Sequence, residues 1–488
     1  MLIILAKKSK IIRFLIVFAI ALTCISLAID IYNTLNYPGT DLRNRVVGAR
    51  LALEGIDPYF FKWHNGLSEI FYDPMDNPEE TLSKLSVPPT VIALHMPIAH
   101  LSYLQQKIIW LIVQWAVFAG IILIFLQSNT DRAKRYLILA LGVIFANSLF
   151  WRFHVNSGQI YIVYIGLLSI SWLLSQQQFK YKELASGFFA GITASFRPPY
   201  ILFFIFFLIH RKYSFIAGGI AGFVFAILSS CAITGTFIWR QYILAMTGMT
   251  GFVNLNKILD NLPKIDYQNI NYPHIVEGFN FQIRNPLEAL LLNNSALFNV
   301  LTAVDWSGKK EILVISFIFT FAILCWLGIK YSSAQTDVNR IFLFSTVLCL
   351  VSEFFIPVGR YSYYDIQWLL PLLLIVITAD TNELLNSKSK VPRAKRRDWQ
   401  ASPARPIVSE ADSASFGGCG LALPSSILLL LMGLILSIGY FTWIPNSLFF
   451  STYLITTYVI LTSVLLLKKN NTLLRPDRHL IVEKATKI

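Results

Sequence analysis

Charge is scarce in this chain. Asp, Glu, Lys and Arg make up 14% of its 488 residues, against about 25% in an ordinary soluble domain, which is too little to cover a surface facing water. Cysteine is scarce too. Of five, Cys24, Cys231, Cys325 and Cys349 fall inside apolar runs and Cys419 in a polar stretch, so neither a disulfide framework nor a Cys-based metal site is implied. There is no GxxxxGK[ST] loop, which argues against an ATP-driven pump, and no HExxH or CxxC pair to hold zinc. A DxD pair that would hold a metal and a nucleotide-activated substrate is also missing. In excess is apolar matter: 55% of the residues, with 37 Phe, 21 Tyr and 11 Trp and a mean hydropathy of +0.58, more than one or two soluble cores take up.

That apolar content is gathered into runs, several near the roughly 20 residues that span a bilayer. They cover 11–31, 105–127, 136–152, 158–176, 184–210, 214–233, 312–331, 341–357, 366–380, 425–444 and 447–467. The first follows Lys7, Lys8, Lys10 and Arg13 and has the outline of a signal peptide. Because residues 31–40 offer no small-x-small cleavage site, it reads as an uncleaved signal anchor. The 184–210 run is interrupted by Arg197, Pro198 and Pro199, where proline removes a helical hydrogen bond and turns the preceding residue away from helix. It reads as two limbs meeting at Arg197. The fold class is therefore an all-α polytopic membrane protein, a bundle of about 10–12 transmembrane helices.

Counting both limbs gives twelve crossings with both termini on one face. On that face lie 26 of the 41 Lys and Arg, as the retention of basic loops in the cytoplasm requires. The net charge of +14 then reads as topology and gives no support to a nucleic-acid partner. The opposite, outer face carries two long loops, 32–104 and 234–311, and long loops are where function concentrates. The second is sprinkled with Trp239, Tyr242, Phe252, Tyr267, Tyr272, Phe279 and Trp306, a composition suited to a membrane interface. Residues 1–380 read as one transmembrane unit. Residues 381–424, basic and then rich in Ser, Ala and Gly, read as a disordered cytoplasmic linker, 425–467 as a terminal hairpin and 468–488 as a cytoplasmic tail.

The chemistry-bearing residues gather just past the first run: Asp41-Leu42-Arg43-Asn44-Arg45, Gly48-Ala49-Arg50, then Glu54-Gly55-Ile56-Asp57-Pro58-Tyr59. Between Asp41 and Glu54 the spacing predicts a short helix lying on the membrane, with Gly55 as its stop. Asp41 at its start is either an N-cap or a working carboxylate. Asp57, Glu69, Asp73 and Asp76 are further acids in the same loop, and Asp30, Arg197 and Glu353 are the conspicuous charges within apolar runs.

In order along the chain, this Asp41 segment, Val87-Pro88-Pro89 with Leu94 and Pro97, Asn156-Ser157-Gly158-Gln159, and Gly187 to Gly191 followed by Phe196-Arg197-Pro198 together resemble the GT-C superfamily of membrane glycosyltransferases. They are most similar to its bacterial polyprenyl-phosphate-mannose-dependent alpha-1,2-mannosyltransferase-like family. Three positions depart from that pattern: Val87 stands for a Tyr, Arg197 for a Lys, and Arg360-Tyr361-Ser362-Tyr363-Tyr364-Asp365 for a Trp-x-His-Tyr.

The resemblance implies a GT-C-like bundle in the bacterial inner membrane that moves a hexose, by expectation mannose, from a polyprenyl-phosphate sugar to a glycan or glycolipid acceptor on the outer face. It implies that membrane lipid, donor and acceptor are the partners, with the polyprenyl-phosphate sugar as donor substrate; it fixes no cofactor and leaves metal dependence open, with no strong metal-ligand set visible in the sequence. Asp41 is then the general base. Arg197, Arg360, Arg45 and Arg50 become candidates for the lipid phosphate, since guanidinium forks suit phosphate oxygens. Gln159, Asn156, His154 and Tyr363 become candidates for sugar or acceptor hydroxyls, and Arg152 lies close to His154. Two other readings stay open: an O-antigen polymerase or ligase, which would rest on outer-loop Arg and His, and a lipid or polysaccharide transporter, which would rest on polar groups at midplane.

Overall fold

A computed structural model describes residues 2–249, 269–273, 276–279, 309–330, 337–355, 360–378 and 447–473. The linker 381–424, Cys419, the first half of the terminal hairpin and residues 474–488 lie outside the described residues, as does most of the second outer loop. Among the described residues the protein is helical and has no β-strand.

The helices are α1 (Leu2–Asn36), α2 (Thr40–Leu53), α3 (Pro89–His95), α4 (Tyr103–Gln127), α5 (Arg132–Ala146), α6 (Leu149–Asn156), α7 (Tyr161–Gln176), α8 (Lys182–Phe196), α9 (Phe204–Ile209), α10 (Tyr213–Thr234), α11 (Thr236–Met249), α12 (Lys309–Lys330), α13 (Val338–Ser352), α14 (Leu369–Thr378) and α15 (Ser447–Leu473). Local chemistry sets many of their starts. Ser102 and Gln105 form a reciprocal capping box at α4, and Asp131, Ser148 and Asp337 cap α5, α6 and α13 by accepting backbone N–H groups.

Among the described residues three helices are long and apolar enough to cross a membrane: 16–36 within α1, all of α4 and all of α10; α5 with α6 makes a fourth as a pair bent by 55°. The expected crossing at 136–152 is therefore broken, at Asn147 and Ser148, because the Ser148 hydroxyl starts a new helix by accepting the Trp151 N–H at 3.2 Å. The expected crossings at 158–176, 312–331, 341–357 and 366–380 appear as shorter apolar helices such as Tyr161–Gln176 and Val338–Ser352, and the expected crossing at 425–444 lies outside the described residues. The 184–210 run breaks where expected. α8 ends at Phe196, Arg197 is extended (φ −144°, ψ 99°), and a 3-10 turn over Pro198–Phe203 leads into α9.

The core lies where α4 to α8, α13 and α14 meet. Phe125 stacks on Trp172 at 4.4 Å and Phe207 on Phe215 at 3.6 Å. α8 and α10 pack backbone to backbone. A Cβ at Gly191 would sit 2.0 Å from the Gly219 carbonyl oxygen, and one at Gly187 2.0 Å from that of Phe215, so glycine is required by close approach, as in membrane helix pairs generally. Outward-facing apolar side chains run along α1, α10 and α12, including Phe18, Ile220, Phe225, Ile318 and Phe319. Such continuous apolar exposure suits lipid and not water.

α2 corrects one expectation. It was to lie on the membrane surface, yet Leu42, Arg43 and every residue from Arg45 to Ala52 are buried. A second small core explains this: Ala49 and Ala52 of α2 pack with Tyr59, Leu85, Ile92 and Met96 of the loop and with Ile238 and Ala245 of α11. Gly55 (φ 68°) ends the helix with the Ile56 N–H returning to the Leu51 carbonyl at 2.9 Å, as expected of a C-terminal glycine.

Candidate active site

Asp41 lies in the first turn of α2, but it is not the cap. The capping position is Gly39 in the left-handed region, with no side-chain cap bond. The start of the helix is held by the turn that joins α6 to α7. The Ser157 carbonyl accepts the N–H groups of Asp41 and Leu42, both at 3.1 Å, and the Gly158 carbonyl accepts from Arg45 Nη2. Gln159 Nε2 donates to Asp41 Oδ2. Gly158 sits at φ 68°, and a Cβ there would come within 2.6 Å of the Leu42 Cβ, so only glycine lets the turn meet α2. The Asn-Ser-Gly-Gln sequence is thus the clamp that sets Asp41.

The Asp41 carboxyl is partly exposed. Burial pushes its pKa above the ordinary carboxylate value, and Arg45, Lys84 and the Gln159 hydrogen bond act against that rise. A carboxylate whose pKa is raised, with a polar partner that fixes its oxygen, is a stronger proton acceptor than an ordinary surface carboxylate. The field of Asp41 reaches Tyr361 and Tyr363, which opens the other half of the site.

That half is built around Arg197. Its position in the α8–α9 break frees the side chain from helical packing. Nε donates to Glu353 Oε1 at 2.6 Å and Nη1 to the Tyr161 hydroxyl at 3.2 Å, while the guanidinium lies 4.8 Å from the ring centres of both Tyr161 and Tyr364. Glu353 is in turn held by Gln367 Nε2 at 3.1 Å, and Gln367 Oε1 accepts from the Tyr200 hydroxyl at 2.6 Å. Tyr363 stacks beside Tyr161 (5.9 Å) and Tyr364 (5.1 Å), whose own ring centres are 4.5 Å apart. The structure therefore brings Asp41, Gln159, Tyr363 and Arg197 around one region walled by tyrosines. Glu353, Gln367, Tyr161 and Tyr364 complete it. Glu353 stood out in the sequence as a charge in an apolar run, whereas nothing in the sequence marked Gln367 or Tyr161.

The other candidates are placed differently. Arg45 is buried on α2: its Nη2 donates to the Gly158 carbonyl and its guanidinium lies 5.6 Å from the ring centre of Trp110 on α4, while its Nε meets no acceptor among the described residues. Arg50, near the far end of α2, donates to the carbonyls of Ile70, Ala99 and Leu101 at 3.0 to 3.1 Å and to Glu277 Oε2 at 3.1 Å. Arg360 is buried against Asp365 at 2.7 Å and over the Phe354 ring at 4.1 Å. His154 is buried, its Nε2 accepting the Ile162 N–H at 3.2 Å at the start of α7, and Arg152 pairs with Asp30, which also accepts from the indoles of Trp115 and Trp151. Asn156 lines a small cleft behind α2 with Lys107 and Gln114. Among the described residues no group of three or more His, Cys, Asp or Glu side chains is arranged to hold a metal ion.

Apolar helices with outward-facing apolar stripes define an all-α membrane protein, and the polar, tyrosine-walled region beside a long loop is its candidate site. The family model of Glycosyltransferase family 87 matches residues 87–352, more than half of the chain, and the protein belongs to that family. The matched region contains Gln159, Tyr161 and Arg197 and begins after Asp41. No curated protein and no solved structure matches the chain. The family makes the protein a glycosyltransferase, in line with the GT-C class expected from its motifs.

Proposed function

We propose that the protein transfers a hexose, mannose in the first instance, from a polyprenyl-phosphate sugar to a hydroxyl of a glycan or glycolipid acceptor at the outer face of a bacterial inner membrane, with Asp41 as general base. The observation that carries this reading is the Asp41–Gln159 pair facing the Arg197–tyrosine wall. In the step, the acceptor oxygen bonds to the anomeric carbon as the bond from that carbon to the phosphate oxygen breaks. The hydroxyl proton goes to Asp41, and polyprenyl phosphate leaves with the bonding electrons. Its added negative charge needs a cation and hydroxyl donors, which Arg197 and Tyr161 offer. Arg197 is already held by Glu353, so it meets that charge with a fixed guanidinium and needs little reorganisation.

The test is transfer from radiolabelled polyprenyl-phosphate mannose to a panel of mannoside and glycolipid acceptors by the purified full-length protein. Asp41→Asn should lower kcat by roughly 10² to 10⁴, the range of a lost general base, with donor binding retained. Full activity of Asp41→Asn would remove Asp41 as the base and favour the polymerase or ligase reading.

A further inference from the structure

A second concavity opens farther along α2. It is shallow and open to solvent, and its lining includes Asn44, Trp63, Tyr72, Asp73, Lys84 and Tyr272. Three partly exposed rings form a stepped surface: Trp63 to Tyr72 at 5.3 Å, Tyr72 to Tyr272 at 5.9 Å and 30°, and Trp63 to Tyr272 at 6.2 Å.

Each ring is fixed from behind. The Trp63 indole donates to the Ser68 carbonyl at 3.1 Å, and the Tyr72 carbonyl accepts two bonds from Arg43 at 3.0 and 2.7 Å. Tyr272 comes from the second outer loop, which is tied to the first by paired bonds between Asn65 and the backbone of Asn269 and Asn271, both 2.9 Å. Beside the rings lie the buried Asp73 and the Lys62–Asp76 ion pair at 2.9 Å.

Aromatic faces bordered by a few carboxylate, amide and ammonium groups match a sugar, which has apolar C–H faces and a rim of hydroxyls. A lipid tail would not match the charged border, and the rings step across one another and do not enclose a volume as a box for an onium group would. The pocket also joins the site already described. Asn44 and Gly48 face it from α2, and Asp41 lies one turn before Asn44 on the same helix face. Lys84 of the pocket acts on Asp41 electrostatically, and Asp41 acts in turn on Asp73.

We propose that the Trp63–Tyr72–Tyr272 platform, with Asn44 and Asp73 at its edge, is the subsite that holds the acceptor saccharide and presents its hydroxyl to Asp41. The proposal rests on the transferase reading above and deepens it. The experiment is saturation-transfer NMR and calorimetric titration of the full-length protein in lipid nanodiscs, free of sugar detergents, with methyl α-mannoside, methyl α-glucoside, an α-linked mannobioside and tetramethylammonium as probes.

At least one saccharide should bind, its ring C–H protons receiving the strongest transfer. Trp63→Ala and Tyr72→Ala should each weaken binding by about tenfold, the scale of one lost aromatic contact, and Trp63→Phe should retain most of it. Thermal midpoints separate loss of the subsite from loss of the fold, and Trp63→Phe keeps the test open if the alanine variants fail to fold. Binding of none of the saccharides, equal binding by wild type and both alanine variants, or binding of tetramethylammonium alone would each overturn the proposal. Asp41→Asn should bind saccharide like wild type. If transfer survived Asp41→Asn, the base assignment would fail while the saccharide titration still judged the subsite.

Discussion

Replacing Gln159 with Leu removes the donor on Asp41 Oδ2 and leaves the carboxyl otherwise in place, because the backbone of Ser157 still holds the start of α2. The Gln159 amide stabilises the ionised form, so its loss must raise the Asp41 pKa. A hydrogen bond to a charged group contributes about 1.5–3 kcal/mol, equivalent to roughly one to two pH units at 1.36 kcal/mol each. Asp41 is partly exposed, and burial, Arg45 and Lys84 all weigh more on it than Gln159 does, so the low end applies. If ionised Asp41 is the base, kcat/KM for sugar transfer falls as pH drops through its pKa in the free enzyme. The acidic limb of the Gln159→Leu profile should then lie about one pH unit above that of wild type, with the plateau at high pH largely kept. Gln159→Glu, which sets a second carboxylate beside Asp41, should move the limb further in the same direction. An acidic limb that coincides with wild type in both variants, or moves down in Gln159→Leu, would refute the coupling.

Three other outcomes follow from the same geometry. Gly191→Val should lower the thermal midpoint of the purified protein, with a loss of about 1–3 kcal/mol or more, because its Cβ meets the Gly219 carbonyl. Gly120→Ala, with nothing within 4 Å of the added methyl group, should match or exceed wild type. Glu353→Gln leaves the half-buried Arg197 without its counter-charge and should cost up to about 3 kcal/mol in denaturant titration. The double variant with Arg197→Gln should cost less than the two single losses combined. Burial pushes the Asp73 carboxyl up to about 7 from its ordinary 3.8, so folding favours the protonated acid, and its ionisation costs stability increasingly from about pH 4 to 7. Asp73→Asn should therefore be near neutral at pH 4 and stabilising at pH 8, by on the order of 3–5 kcal/mol; thermal midpoints at the two pH values check this.

The membrane class, the break at Arg197 and the stop at Gly55 were legible in the sequence because each depends on local chemistry: apolar run length, the missing proline N–H, and the conformational freedom of glycine. The four ordered motifs likewise pointed to Asp41 and to a glycosyltransferase, the class that the family match supports. Nothing local told a capping carboxylate from a working one. That the carboxyl does not cap α2 was decided by the 157–159 turn, 118 residues from Asp41 along the chain at Gln159, which takes over the start of α2 and turns the carboxyl to a side-chain partner. The arginines show the same limit. Arg45, Arg50, Arg360 and Arg197 look alike in sequence, yet tertiary packing engages the first two largely with backbone carbonyls, buries the third against Asp365 and sets the fourth among tyrosines beside Glu353. A guanidinium has donors enough for any of these partners, so what each arginine does depends on which acceptors the fold brings within reach.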